Sequence, residues 1–357
     1  MEIKSLLMKM VEDKGSDLFY RAGGVPRYRK DGKVVPISDQ ILRIDDAYKA
    51  IESLTNAAQR ETLKRNFDID FIFYWEEIDR RFRVSIFMQR NSPSIVVRNV
   101  NRETQTFEEL GLPSDILKKL AGEIRGLVLL TGSMGSGKST TIASMIEYIN
   151  CNYKKHILTV EEPIEFTFRD KESLINQREL GIDVSSYAVA LRAFTLQSPD
   201  VIFISNIRDQ ETMAAAITAA ETGVLVLSTL HTINASQTVE RIINFFPPHQ
   251  HQEVRNQLSS LLKGVMSLRL TPLKDGSGRV PAYEVMLLTP TISRLIRENK
   301  VWEIPQYIED GSIFGMQSFN QSLIKLVKEG RITEEEASQQ SDNKDEFLLS
   351  LRGIRKG

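Results

Sequence analysis

The sequence predicts an α/β protein built from two domains, and three observations carry that reading. The first is Gly132-Ser133-Met134-Gly135-Ser136-Gly137-Lys138-Ser139, a G-x-x-x-x-G-K-S run with an apolar stretch before it and helical periodicity after it. The second is the alternation of apolar strand-like runs with helical segments downstream, the pattern of a parallel sheet covered on both faces. The third is the length, 357 residues, which suits about two domains. Residues 1–100 read as a separate small α/β unit, 101–125 as a linker containing Leu110-Gly111-Leu112-Pro113, and 126–357 as the second domain.

In the first domain a short helix from Ser5 to Glu12 leads into strand-like Asp17-Leu18-Phe19-Tyr20-Arg21. Lys30-Asp31-Gly32-Lys33 separates two strand-like runs and fits a hairpin loop. Helical periodicity covers Ile44 to Asn66, followed by strand-like runs over Ile69 to Tyr74 and Arg81 to Phe87. Alternation in the latter sets Arg81 and Arg83 on one face and turns Phe82 and Val84 toward the core. Arg98 closes the next apolar run, Ile95-Val96-Val97. In the second domain the expected strands are Leu127 to Leu130, His156 to Val160, Val201 to Ser205 and Val224 to Ser228. From about residue 258 the chain is expected to become mostly helical, with a turn at Lys274-Asp275-Gly276-Ser277-Gly278. The charged stretch from Thr333 to Gly357 reads as a short helix with a loose end.

Composition bounds the partners. Lys and Arg number 46 against 47 Asp and Glu, so no global field draws the chain to nucleic acid or anionic lipid. The single cysteine, Cys151, excludes an internal disulfide framework and a Cys-x-x-Cys zinc site, and is expected as a small buried hydrophobe. No apolar run approaches the roughly 18 residues of a membrane span. Met1-Glu2-Ile3-Lys4 lacks the apolar region of a signal peptide, so the expected compartment is the cytoplasm.

The glycine-rich run is read as a phosphate loop because strand, tight turn and helix follow in the required order. Glycines let the backbone turn until its N–H groups point inward at a phosphate, and the helix start adds a partial positive charge. Ser133, Gly135, Ser136, Gly137 and Thr140 are expected to line the cradle for ATP. Lys138 is expected to reach the β/γ-phosphates, and Ser139 to place its hydroxyl on Mg²⁺. Phosphoryl transfer to water further needs a group that orients and deprotonates the attacking water. Thr159-Val160-Glu161-Glu162-Pro163-Ile164-Glu165 supplies three carboxylates at a strand's carboxyl end, where doubly wound sheets carry their sites. On spacing alone, carboxylates that only cap a loop remain an alternative.

Several motifs together give the chain a resemblance to the type IV pilus retraction ATPases, the PilT/PilU family of the secretion ATPase superfamily. Thr159 to Glu165 is similar to that family's acidic box, and Ser173-Leu174-Ile175-Asn176-Gln177-Arg178-Glu179 to the segment after it. Ser198-Pro199-Asp200-Val201-Ile202-Phe203-Ile204-Ser205-Asn206-Ile207-Arg208-Asp209 resembles the Walker B region. Ala220-Glu221-Thr222-Gly223-Val224 through His231-Thr232 resembles the His box. Arg241 to Pro247 and Gly315 to Phe319 add to the likeness. The resemblance implies a PAS-like N-terminal domain joined to a RecA-like ATPase domain in a homohexameric ring. It implies that Arg83 and Arg98 close over the triphosphate, and that Glu161, Glu162, the residue at 206 and His231 serve catalysis. It also implies contact with an inner-membrane pilus platform protein, so that membrane association is indirect.

Departures from the family pattern cluster around the same site. Asn206 stands where the family has the glutamate taken as catalytic base, and an amide cannot accept and hold a proton at neutral pH. Leu196 replaces a second arginine after Arg192, Val224 replaces the first histidine of the His box, and Glu162 replaces an aspartate. Thr291 to Arg297 matches the family's C-terminal retraction motif only in part. Two readings follow from the resemblance: a hexameric motor with weakened hydrolysis, Glu161 or Glu162 partly replacing the base, or an inactive nucleotide-binding subunit working with an active paralogue.

Overall fold

The computed structural model describes residues 2–30, 33–100 and 104–353. The chain divides into two compact units, Met1–Arg102 and Glu103–Gly357, each with its own apolar core.

The first unit opens with α1 (Ile3–Glu12), β1 (Asp17–Arg21), β2 (Arg27–Lys30) and β3 (Lys33–Pro36). It continues through α2 (Ile44–Leu54), α3 (Ala57–Asn66), β4 (Asp68–Trp75), β5 (Arg80–Gln89) and β6 (Ser92–Asn99). The strands form one antiparallel sheet in the order β3-β2-β1-β6-β5-β4. Strand alternation decides its faces: Phe82, Val84 and Ile86 of β5 are fully buried among Ile3, Leu7 and Met10 of the same core. Lys30 and Lys33 are register partners, while Asp31 and Gly32 of the expected hairpin loop lie outside the described residues. The expected single helix over Ile44 to Asn66 is two, because Thr55 takes extended backbone and Asn56 caps the second. The Asn56 side chain accepts from the Gln59 N–H and the Gln59 side chain accepts from the Asn56 N–H, a reciprocal cap.

The second unit begins with α4 (Ser114–Ala121), β7 (Gly126–Thr131), α5 (Lys138–Asn152), β8 (His156–Glu161) and β9 (Leu174–Glu179). Next come α6 (Tyr187–Thr195), β10 (Val201–Ile204), α7 (Gln210–Glu221), β11 (Leu225–Leu230), α8 (Ala235–Ile243) and α9 (His251–Leu261). The chain then forms β12 (Leu262–Pro272), β13 (Arg279–Leu287), α10 (Pro290–Arg297) and α11 (Ile304–Asp310). It ends with α12 (Phe319–Lys328), α13 (Glu334–Gln340) and α14 (Lys344–Leu351). The sheet runs β13-β12-β7-β11-β10-β8-β9, parallel throughout except for the antiparallel β12–β13 pair. Its middle strands are buried on both faces, which is why they stand out as apolar runs.

Five expectations are corrected here. Residues beyond 258 do not turn directly helical: β12 and β13 extend the sheet first, with Lys274 to Gly278 between them. Pairing with β7 fixes β12, and no local pattern reports such a partner. The segment read as a linker carries α4 and sends Phe107, Leu112, Leu117 and Leu120 into the main core. β9 was absent from the expected strands because an edge strand exposes part of its length and lacks an apolar run. Cys151 is exposed, its Sγ 3.3 Å from Lys171 Nζ at the outer side of the last turn of α5. The charged C-terminal stretch holds two helices, and Phe347 is fully buried beside Phe319 and Leu323.

Candidate functional site

Because β7, β11, β10 and β8 are parallel neighbours, their carboxyl ends lie along one edge of the sheet. That edge receives the glycine-rich loop after β7, His231 after β11, Asn206 after β10, and Glu161 and Glu162 at the end of β8. Parallel order thus brings together residues scattered over a hundred positions of sequence.

The loop is shaped by its glycines. A Cβ on Gly132 (φ +141°) would fall 2.5 Å from both the Leu268 carbonyl oxygen and Ser136 Oγ, so only glycine fits. Gly137, at φ +100°, delivers the chain into α5. Lys138 is 8% exposed and folds back on the loop, its Nζ donating to the Gly132 and Ser133 carbonyls at 2.7 and 2.8 Å. Burial lowers its pKa, an effect the nearby Glu165 carboxylate opposes. Ser139 Oγ donates to Glu165 Oε1 at 2.9 Å, and Thr140 follows on the first turn of α5. A cavity of about 450 Å³ opens beside the loop, its far wall including Leu268, Arg269, Arg279 and Gln340.

At the acidic end Glu161 is buried, and its Oε1 accepts from Thr159 Oγ1 at 2.6 Å and Gln177 Nε2 at 3.0 Å. Burial pushes its pKa up to about 7 against those two hydrogen bonds, with help from the Glu165 and Glu179 charges. Glu162 is exposed and pairs with Arg208 at 3.1 Å. Its backbone N–H donates to Ser205 Oγ, which also meets the Tyr187 hydroxyl at 2.8 Å. These bonds fix the turn that carries Asn206. Asn206 itself is buried, and its amide oxygen has no hydrogen-bond partner among the described residues. Ser136 Oγ is likewise buried and unpartnered among the described residues. The Ser136 hydroxyl thus lies inside the glycine cradle, next to Gly137 and Lys138, with an open bonding capacity suited to a phosphate oxygen. His231 is exposed, and its pKa is lowered by partial desolvation and by the charges of Lys138 and Arg208.

Arg83 and Arg98 belong to the first unit, where they are register partners on β5 and β6. Asp17 on β1 faces Arg98 on one side and Arg29 on the other, so one row of the sheet reads Arg29, Asp17, Arg98, Arg83. Arg98 Nε donates to Asp17 Oδ1 at 2.8 Å while most of its side chain stays exposed. Burial resists ionisation of Asp17, yet hydrogen bonds from Ser16 and Arg98 hold its carboxyl below the usual range. Arg83 approaches Asp70 at 3.9 Å.

Sequence reading singled out the loop and the carboxylates but left Glu165, Gln177 and Asp17 without assigned roles. Glu165 and Gln177 lie inside segments that stood out, whereas Asp17 carries no signal until β1 and β6 pair.

Glu161 also gives a stability prediction. Its folded pKa of about 7 lies above the ordinary 4.5, so the folded chain holds a proton that the unfolded chain releases. The stability this contributes is complete below pH 4.5 and is lost as pH rises through 7. Thermal unfolding at pH 5.5 and 8 should show the lower Tm at pH 8, and Glu161→Gln should shrink the difference. An equal or larger drop in the variant would contradict the protonated, buried carboxyl.

The fold and this edge together define a P-loop nucleotide-binding protein whose second unit is a RecA-like ATPase domain. Residues 2–339 match the family model described as type II/IV secretion system protein, and the chain belongs to that family, within its pilus ATPase group. It is 41% identical over 352 residues to the type IV pilus ATPase PilU of Pseudomonas aeruginosa, covering 99% of this chain and 92% of that one. It is 40% identical over 347 residues to the protein named type IV pilus retractation ATPase PilT of the same organism, covering 97% and 100%. Among solved structures it is similar to the pilus retraction motor PilT with bound ADP, at a TM-score of 0.89 and 42% identity, covering 97% of this chain and 98% of that one.

Proposed function

We propose that the chain is an ATP-binding motor subunit of a type IV pilus machine that drives or assists pilus retraction, with hydrolysis weakened at Asn206. The observation that carries this reading is the contrast at one sheet edge. The phosphate loop keeps every binding group, with Lys138 buried in it, while the end of β10 offers an unpartnered amide where a base is needed. Binding draws mostly on the loop, whereas the base acts in the transition state, so affinity survives and turnover falls.

Ser139 and Glu165 form a pair of hard oxygen donors suited to Mg²⁺, with Ser139 the residue that would hold it. Bound there, the ion would supply charge neutralisation on the phosphates. Lys138 binds the phosphates. Glu161, with a pKa near neutrality, is better suited than the Arg208-paired Glu162 to take over part of the proton transfer. His231 contributes polarity at the end of β11. The subunit works in the cytoplasm in a homohexamer or a mixed ring with a paralogous pilus ATPase, docked on an inner-membrane platform protein. Among the described residues no helix is long and apolar enough to cross a membrane, which suits docking through a protein.

Removing the gene from its host tests the assignment. Pili should still assemble but retract more slowly or less forcefully, and sedimentation of the purified protein with ATP should show a hexamer. Unchanged retraction in the deletion strain would refute it.

A further inference from the structure

Glu284 lies within β13 at 7% exposure, and nothing in the site described above uses it. Its register partner on β12 is Ser267, which sets the Ser267 hydroxyl and the Glu284 carboxyl side by side on one face of the pair. Ser267 Oγ in turn accepts from Thr131 Oγ1 at 2.9 Å. Thr131 is the last residue of β7, immediately before Gly132 and the phosphate loop. On its other side Glu284 Oε1 accepts the backbone N–H of Ala235 at 2.7 Å. Ala235 opens α8, the helix that follows His231-Thr232-Ile233-Asn234. Thr131, Ser267 and Ala235 are all fully buried. A buried row of polar groups therefore runs from the root of the phosphate loop, across two strands, into the first turn of the helix behind His231.

A buried carboxyl flanked by Tyr283 and Val285 is costly, and an apolar residue would pack this strand better unless the polar row has a use. We propose that Glu284 is a positioning residue that couples the phosphate loop to the His231 segment, so that a triphosphate held at the loop fixes the start of α8. This coupling rests on the reading that nucleotide binds at the Gly132–Lys138 loop. The ionised carboxylate accepts from Ser267 and Ala235 together and orients both hydroxyls of the row toward itself. Once protonated, it must donate through one oxygen, and the hydroxyl order breaks or reverses. Burial raises its pKa to about 7; the facing charges are Asp342, which adds to the rise, and Arg269, which opposes it. Arg269 is itself held by Asp342 at 2.6 Å. The coupling is therefore strong above neutrality and fades below it.

Hydrogen exchange of the full-length protein over residues 231–238, with and without a slowly hydrolysed ATP analogue, reads the coupling directly. Wild type should gain protection there by about fivefold or more on binding, the low end of ordinary coupling between sites. That gain should diminish as pH falls through 7. Glu284→Gln, which keeps the shape, should bind the analogue within about twofold of wild type yet lose both the gain and its pH step. His231 remains in that variant, so a pH step that persists would belong to His231 and overturn the proposal. Ser267→Ala cuts the row on the loop side and should lose the gain as well, deciding the matter if Glu284→Gln does not fold. Retention of the full gain in a folded variant overturns the coupling. Binding by wild type without any gain over 231–238 overturns the coupling alone; no binding at all overturns the nucleotide-site reading, and the coupling with it.

Discussion

Lys138→Ala is expected to lower ATP affinity by about a hundredfold or more, because one side chain supplies the positive charge inside the cradle. Lys138 is 8% exposed and held by two loop carbonyls, so its charge is already desolvated and aimed before ligand arrives. Charge-assisted hydrogen bonds to phosphate oxygens, each worth about 1.5–3 kcal/mol, are then gained without further reorganisation. Titration of a fluorescent ATP analogue measures the loss. The melting temperature should stay level or rise, since a buried ammonium with lowered pKa is removed. A variant that binds within a few-fold of wild type would place the phosphates elsewhere.

Asn206→Glu is expected to raise turnover by about 10²–10⁴ with little change in affinity, restoring a positioned base at the end of β10. The Asn206 amide oxygen is buried and unpartnered, so a carboxylate there gains an acceptor role that nothing in the protein already fills. The surrounding turn is held through Ser205, which bonds Glu162 N–H and Tyr187, and the new side chain inherits that rigid support. Steady-state phosphate release and analogue titration on the two proteins separate rate from affinity. If Glu161, rather than residue 206, carries the proton transfer, Glu161→Gln will be the variant that loses the residual rate.

How much was legible in the sequence depended on whether a residue's reason was local. Gly132 and Gly137 are fixed by backbone geometry, and Lys138 by the phosphate chemistry, so the loop was readable from its letters alone. β7, β10 and β11 were readable because burial on both faces makes their residues mostly apolar. β12 was not: Leu262 to Pro272 mixes lysine, arginine and glycine with apolar residues, and only pairing with β7 and β13 makes it a strand. The same limit hid the Thr131–Ser267–Glu284 row, whose members stand far apart in sequence and share no spacing. Alternation placed Arg83 on a solvent-side face, but its alignment with Arg98, Asp17 and Arg29 is a matter of register across four strands. The helix within the stretch read as a linker went unread because α4 is short and its apolar residues face a core assembled from distant strands.

Steady-state ATP turnover of the purified wild-type protein, with nucleotide affinity measured on the same preparation, tests the central claim most directly. Tight binding with turnover below about one per second, the low end of ordinary enzymes, is the predicted result. Turnover at or above that rate, unchanged by Asn206→Glu, would contradict the assignment of Asn206 as the lost base.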